Sequence, residues 1–327
     1  MTTETTVIIP NWNTKRWLPS CLQGLRAQNY QDFCIILVDN GSTDGSIDFV
    51  KSHYPEVEIL AFKNNQGFAP AVNAGIKQAH SPYVALLNAD TIPKPDWLSH
   101  LVNTIKKCSR IGCVASKMLN LNKPTIIDDA GDTFSWYGSA RKRGQGEPAE
   151  RYEYMQEVLS ACAGAALYRR SILTKIGGFD ETFVSYLEDI DVGIRMRLHG
   201  YCCLYAPKAI ILHQGHGANL TRARYVYFMT RNRLAVLTKN IPLTLLRKHW
   251  RTLSYGQLYF FLVYKHPIHS IAGTIAWLID LPHLLRKRKE IQRKRVITDE
   301  ALEESISNDL GEIPLRKIIT DKLRGIS

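Results

Sequence analysis

Three places in this chain hold side chains whose types suit joint chemistry. Asp90 closes an Asn88-Ala89-Asp90 triplet directly after the apolar run Tyr83–Leu87. A carboxylate there can offer oxygen to a hard divalent cation, which takes one or two carboxylates and fills its shell with water and phosphate oxygens. His213 ends a second apolar run, Ala209–His213, and can give imidazole nitrogen to Mn²⁺ or a similar ion. His216, three residues on, is its rival. Glu188-Asp189 and Asp191 open a helical pattern that closes at Gly200, and a carboxylate so placed can take the proton of an attacking hydroxyl. Each has a plainer use as well: a turn before Pro93 and Pro95, a strand-end histidine, acids favoured by a helix dipole. Asp191 stands four residues before Arg195, the spacing of a helical ion pair, so Asp189 is the candidate base. Asp39 heads Asp39-Asn-Gly-Ser-Thr-Asp44 and suits either nucleobase or ribose hydrogen bonds or a turn with a cap at Thr43 or Asp44.

The elements that must position these groups alternate. Val7-Ile-Ile, Cys34–Val38, Val57–Phe62 and Tyr83–Leu87 are short apolar runs, and helical patterns near 18–27, 47–50 and 69–79 lie between them. Fully apolar strands separated by helices predict an α/β fold with a mostly parallel sheet covered on both faces. Ligands of such sheets bind beyond the carboxyl ends of the strands. Asn11 and Asn13, Asp39, the segment Asn64–Gly75 and Asn88–Asp90 all follow strands, so four polar sets share one end of the sheet. Residues 120–160, with Asp128-Asp-Ala-Gly-Asp132 and Arg141-Lys-Arg143, read as long connections or a mobile loop over a site.

Composition narrows the class. The 327 residues hold 42 Lys and Arg against 30 Asp and Glu. Residues 1–230 are nearly neutral at a net of +3, whereas 231–297, with 14 basic and 2 acidic side chains, carry +12, and 298–327 carry −3. Disorder and low-complexity classes are excluded. The seven cysteines lack CxxC spacing, so free thiols in a reducing compartment are expected rather than a disulfide or zinc framework. No GxGxxG or P-loop is present, and with a strand expected from Thr6 onward no signal peptide is expected.

Six blocks in order resemble family 2 glycosyltransferases of the GT-A fold, over roughly residues 6–235. They are Val7–Asn13, Val38–Ser46, Asn65–Gly75, Leu86–Pro93, Gly164–Arg170 and Gly178-Phe-Asp-Glu with Glu188–Asp191. The resemblance implies a Rossmann-like sheet and an inverting transfer of a sugar from a nucleotide-sugar donor to a hydroxyl. It implies Asp189 as base and Asp90 with His213 as ligands of Mg²⁺ or Mn²⁺. Donor contacts are implied at Pro10, Asn11, Asn13, Asp39, Gly67, Asn73, Asn88, Ala89 and Arg231, and acceptor-side contacts at Gly164, Glu188 and Trp136. The first acid of the family's DxD motif is Asn88 here, as in its rhamnosyltransferase-like branch, so a metal held together with the donor diphosphate is implied. The extension from Ile241 to Arg295 is similar to that of transferases using dTDP-L-rhamnose, which implies L-rhamnose as the sugar. A UDP-hexose or UDP-N-acetylhexosamine transferase and a non-catalytic nucleotide-sugar-binding scaffold are the alternatives.

The division expected is a catalytic domain at 1–235, a basic amphipathic helical region at 236–297 and an acidic tail at 298–327. Apolar clusters at 243–246, 258–264 and 268–285 precede seven basic residues among the ten of Arg286–Arg295. His266, Pro267, His269 and Asp280 interrupt the longest of them, short of the ~20 residues a spanning helix needs. The expectation is helices lying on an anionic membrane surface, at the cytoplasmic face of a bacterial membrane, with a glycan or lipid-linked saccharide as acceptor. A helical subdomain packed on the core fits the same pattern. Nucleic acid is not expected as a partner, because the charge is confined to one amphipathic segment.

Overall fold

The computed structural model describes residues 3–215 and 221–311. Two compact units emerge: Met1–Asp132 with Lys142–Asn219, and Thr133–Arg141 with Leu220–Ser327. The division falls ahead of a helix at Arg222–Asn240, inside which the expected boundary at 235 lies.

The first unit is built on strands β1 (Thr5–Asn11), β2 (Phe33–Asp39), β3 (Glu58–Ala61), β4 (Tyr83–Leu87), β5 (Thr91–Pro93), β6 (Ile111–Asn120) and β7 (Lys123–Asp129). A short ribbon, β8 (Asp132–Phe134) with β9 (Ala140–Lys142), follows, and β10 (Gln156–Val158), β11 (Ala165–Arg169) and β12 (Cys202–His213) complete the main sheet. Its order is β10-β12-β6-β11-β4-β1-β2-β3, with β5 on β12 and β7 on β6. β4, β1, β2 and β3 run parallel, as do β12 and β6, while β11 enters antiparallel between β4 and β6.

The alternation of side chains on a strand explains the two cores. Val7 and Ile9 of β1 face one way, with Ile35, Leu37, Ala85 and Leu87, and pack under α1 (Leu18–Arg26), α2 (Ser46–His53) and α4 (Trp97–Ile105). Ile8 faces the other way, with Ile36, Val38, Val84 and Leu86, under α3 (Phe68–Gln78), α5 (Arg170–Lys175) and α6 (Glu188–Leu198). Both faces are covered, as the unbroken apolar runs require.

Residues 120–160 depart from the expected loop. β7 turns back on β6 and Met118 pairs with Asp129, so this stretch extends the sheet. Its polar residues broke the alternating pattern because Asp129 and Asp132 are themselves buried, Asp129 accepting the Gly131 N–H and Asp132 the Ser160 hydroxyl.

The second unit is helical: α7 (Arg222–Asn240), α8 (Leu243–Lys248), α9 (Trp250–Val263), α10 (Pro267–Arg293) and α11 (Asp299–Glu303). Pro267 does not interrupt α10 but opens it, where a missing N–H costs nothing. α10 is thereby long and apolar enough to cross a bilayer by length and composition, contrary to the expectation that no segment reached that length. It is tied to α7 by Trp277 Nε1 on Thr238 Oγ1 at 3.0 Å, Arg288 on the Thr238 carbonyl at 2.6 Å and Gln292 on the Asn240 carbonyl at 2.7 Å. Ile268, Ile271, Ile275, Leu278 and Ile279 of the same helix are exposed.

Candidate active site

Parallel pairing sets Asn11 directly opposite Asp39 at the carboxyl ends of β1 and β2. The Asn11 amide donates to Asp39 Oδ1 at 2.6 Å, and the Ser42 N–H donates to Oδ2 at 2.9 Å. Asn13, at φ 53°, takes the Thr43 N–H on its side-chain oxygen at 2.8 Å while its own N–H goes to Ser42 Oγ. Pro10 lies beside Val38 in the same register. Gly67, at φ 102° ahead of α3, accepts from the Asn40 amide at 2.9 Å. Its backbone also approaches that of Val184: a Cβ on Gly67 would sit 3.1 Å from the Val184 carbonyl. Asn73 is bound differently from the donor contact implied for it. Its amide donates to the Phe179 carbonyl and to Glu181, and its oxygen accepts the Phe179 N–H, so it clamps the turn after Gly178.

The metal candidates meet. Asn88 and Ala89 follow β4, and the Asn88 N–H donates to the Gly164 carbonyl at 2.8 Å. A Cβ on Gly164 would stand 3.0 Å from the Asn88 amide nitrogen, so this strand start passes flush against the triplet. Asp90 lies before Thr91, which pairs with His213 across β5 and β12. His213 Nε2 is 3.3 Å from Asp90 Oδ2, and Nδ1 is 2.8 Å from Asp128 Oδ2. Burial works against charging this imidazole, but the hydrogen bonds it donates to Asp128 and Asp90 outweigh it and raise its pKa to about 9. Burial likewise works to raise Asp128, yet the bonds from His213 and the Lys142 charge bring it down to about 2. His216, the rival ligand, lies outside the described residues.

Two ligands of a small octahedral ion with ~2.1 Å bonds lie about 3 Å apart, so the Asp90–His213 spacing fits one edge of such a shell. Among the described residues no three His, Cys, Asp or Glu side chains form a metal cage. A cation held by this pair would need water or ligand oxygens for the rest of its shell.

The base candidate opens α6. Ile190 N–H donates to Asp189 at 2.8 Å. Burial raises the Asp189 carboxyl above its ordinary value, against backbone hydrogen bonding and the Lys142 charge. Glu188 is buried, and burial with the neighbouring Asp189 charge carries it to about 8. Asp191 is bound at 2.7 Å by Arg195, as its spacing implied. Val184, Tyr186 and Leu187, none of them glycine, adopt positive φ just before this helix. Such strain persists only where the surroundings over-determine it, and it gathers at functional sites. No residue type announced it.

Two implied contacts belong to the second unit. Trp136 is only 1% exposed and stacks on His249 at 3.8 Å, with no open ring face to offer a sugar. Arg231 pairs with Asp280. Sequence reasoning missed Asp128 and Lys142, whose ion pair measures 2.7 Å; both sat in the segment read as loop. All seven cysteines are free.

Comparison with known proteins follows this geometry. The family description "Glycosyl transferase family 2" matches residues 6–177. The chain is 29% identical over 254 residues to the N-acetylglucosaminyl-diphospho-decaprenol L-rhamnosyltransferase of Mycobacterium tuberculosis, covering 68% of this chain and 78% of that protein. Its fold is similar to S. aureus TarS 1–349 in complex with UDP-GlcNAc, at TM-score 0.58 and 16% identity over 93% and 91% of the two chains. It is also similar to the mannosyltransferase PcManGT of Pyrobaculum calidifontis in complex with GDP-Man and Mn²⁺, at TM-score 0.56 and 15% identity over 93% and 84%. The first unit therefore carries the GT-A fold, and the chain belongs to glycosyl transferase family 2.

Proposed function

We propose that this glycosyltransferase is inverting and metal-assisted, moving L-rhamnose from dTDP-L-rhamnose to a hydroxyl of a lipid-linked saccharide at the cytoplasmic face of the membrane. The observation that carries it is the placement of the Asp90–His213 pair and of the buried Asp189 carboxylate about Lys142, which pairs with Asp128, the partner of His213, and whose charge also acts on Asp189. The similarity to a rhamnosyltransferase with a diphospho-decaprenol acceptor supports the donor and the acceptor class. Asp189 takes the proton of the acceptor hydroxyl as its oxygen attacks the anomeric carbon. The bond from that carbon to the donor breaks on the opposite face, and its electron pair leaves on the diphosphate oxygen. A divalent ion on Asp90 and His213 would offset that negative charge. Asn11, Asn13 and Asp39 hold the nucleotide in this reading, Pro10, Gly67, Asn88 and Ala89 shape its bed, and Gly164 and Glu188 lie on the acceptor side. Asn73, Trp136 and Arg231 are left to the structural partners described above.

Membrane association belongs to the same reading. The exposed face of α10 and the cationic run Arg286–Arg295 suit a helix lying in an anionic interface.

A thermal-shift screen of dTDP-L-rhamnose, UDP-GlcNAc and GDP-mannose, each with and without Mn²⁺, tests the donor. The rhamnose nucleotide should give the largest metal-dependent shift. A larger shift with either other donor moves the assignment to that sugar. Asp189→Asn should lower kcat by roughly 10²–10⁴-fold with donor binding retained. Full transfer by this variant would remove Asp189 from the base role.

A further inference from the structure

Behind the Asp90–His213 pair stands a residue to which neither the sequence blocks nor the family assigns a task. β12 and β7 flank β6, which brings Asp128 of β7 to the end of β12. There His213 is held between two carboxylates, Nδ1 on Asp128 Oδ2 at 2.8 Å and Nε2 facing Asp90 Oδ2 at 3.3 Å. Asp128 does not lean on His213 alone. Lys142 Nζ, from β9, grips the same Oδ2 at 2.7 Å.

The chemistry of this chain of contacts is directional. An imidazole whose Nδ1–H is given to a carboxylate keeps its Nε2 lone pair for a cation, and the carboxylate fixes the ring plane and raises the basicity of the ligating nitrogen. A cation entering between His213 and Asp90 must displace the proton of Nε2, while the Nδ1–H stays on Asp128. Asp128 thereby fixes which nitrogen is free to ligate, and Lys142 holds Asp128 where it can do so.

We propose that Asp128, steadied by Lys142, is the positioning residue of the metal site, setting the tautomer and ring orientation in which His213 Nε2 and Asp90 bind one divalent cation. The proposal rests on the reading of Asp90 and His213 as metal ligands. A plain structural ion pair between β7 and β9 would support the hairpin but leave metal affinity untouched, which separates the two accounts.

The test is a Mn²⁺ titration of the full chain in the presence of dTDP, and again of UDP, with free Mn²⁺ read by electron paramagnetic resonance. The proteins are wild type, Asp128→Ala, Asp128→Asn, Lys142→Met, Asp90→Ala and His213→Ala. Removing the partner of a ligating histidine costs about 10–100-fold in metal affinity, and that loss is expected for Asp128→Ala. A smaller loss is expected for Asp128→Asn, whose amide oxygen still accepts the Nδ1–H bond, and for Lys142→Met. The Mn²⁺ concentration giving half-maximal transfer should rise by the same factor. If Asp128→Ala does not fold, Asp128→Asn is nearly isosteric, and wild-type Mn²⁺ affinity in it and in Lys142→Met overturns the proposal. Wild-type affinity in the Asp128 variants beside a loss in His213→Ala removes Asp128 and leaves the metal reading standing. Wild-type affinity in His213→Ala and Asp90→Ala overturns the metal reading and this proposal with it.

Discussion

Two adjacent carboxyls open α6, and their surroundings separate them. Glu188 is buried with one oxygen lacking a hydrogen-bond partner among the described residues, and burial together with the Asp189 charge places its pKa at about 8. At neutral pH it is mainly protonated, so in the proposed reaction it would not compete with Asp189 for the hydroxyl proton. The stability consequence has a definite sign. Its proton is held more tightly in the folded chain than at the ordinary value of 4.5, so the stabilisation is complete below pH 4.5 and is lost as pH rises through 8. Glu188→Gln stays neutral throughout. Its melting temperature should match the wild type at pH 5 and exceed it by a few degrees, on the order of 3 °C or more, at pH 8. An equal difference at both pH values would show that Glu188 does not titrate in this window. At this scale the sequence placed Asp39 and Asp90 where the structure has them, at the ends of β2 and β4, and Asp189 in the first turn of α6. It was illegible at Asn73 and Trp136, whose partners Phe179 and His249 lie 106 and 113 positions further along the chain.

The place of Asp189 depends on how closely α6 seats against its neighbours. A Cβ on Gly193 would stand 2.3 Å from Ser160 Cβ and 2.5 Å from the Leu159 carbonyl, distances that no rotamer change relieves because backbone stands on one side. Gly193→Ala must therefore push the helix away from 159–160, at a cost of about 1–3 kcal/mol for an overpacked contact. Asp189, in the first turn of the same helix, would move with it. Calorimetry should show a lower melting temperature, and kcat should fall more than the KM for donor changes. Wild-type values for both would mean that α6 is not held by this approach. The same seating explains what could be read of the elements. β1, β2 and β4 announced themselves because 7–9, 34–38 and 83–87 are unbroken apolar runs and both faces are covered. β8, β9 and β10 have three residues each, too short for any period, and β7 carries Asp128 and Asp129 where an alternating strand would carry apolar side chains.

At the scale of the chain, the excess charge and the exposed apolar surface fall in the same unit. Residues 231–297 hold the +12, and the exposed large side chains of α9 and α10 include Trp250, Leu258, Leu262, Ile271, Ile275 and Ile279. That charge placement was visible in the sequence; the recruitment of 133–141 into the helical unit was not, since it depends on contacts such as the Trp136 N–H with the Ser307 carbonyl. α10 meets the length and composition of a spanning helix, yet it carries Asp280 paired to Arg231 and three hydrogen bonds to α7 along its other side. Crossing a bilayer would strip that pair and those bonds of their setting, whereas lying in the interface keeps them and buries only the exposed face. The charges of Arg286–Arg295, apart from Arg288 on the Thr238 carbonyl and Arg295 on Asp299, then meet anionic headgroups at about 1 kcal/mol each, screened by salt. Flotation with phosphatidylglycerol vesicles should recover the protein, phosphatidylcholine vesicles should recover much less, and ~0.5 M salt should weaken the first. Ile271→Asp with Ile275→Asp and Ile279→Asp should abolish flotation while leaving donor-induced thermal shifts in place, because these side chains face away from the α7 contacts. Alkaline carbonate should release the wild-type protein from membranes. Retention in the pellet would reverse the argument and make α10 a membrane span.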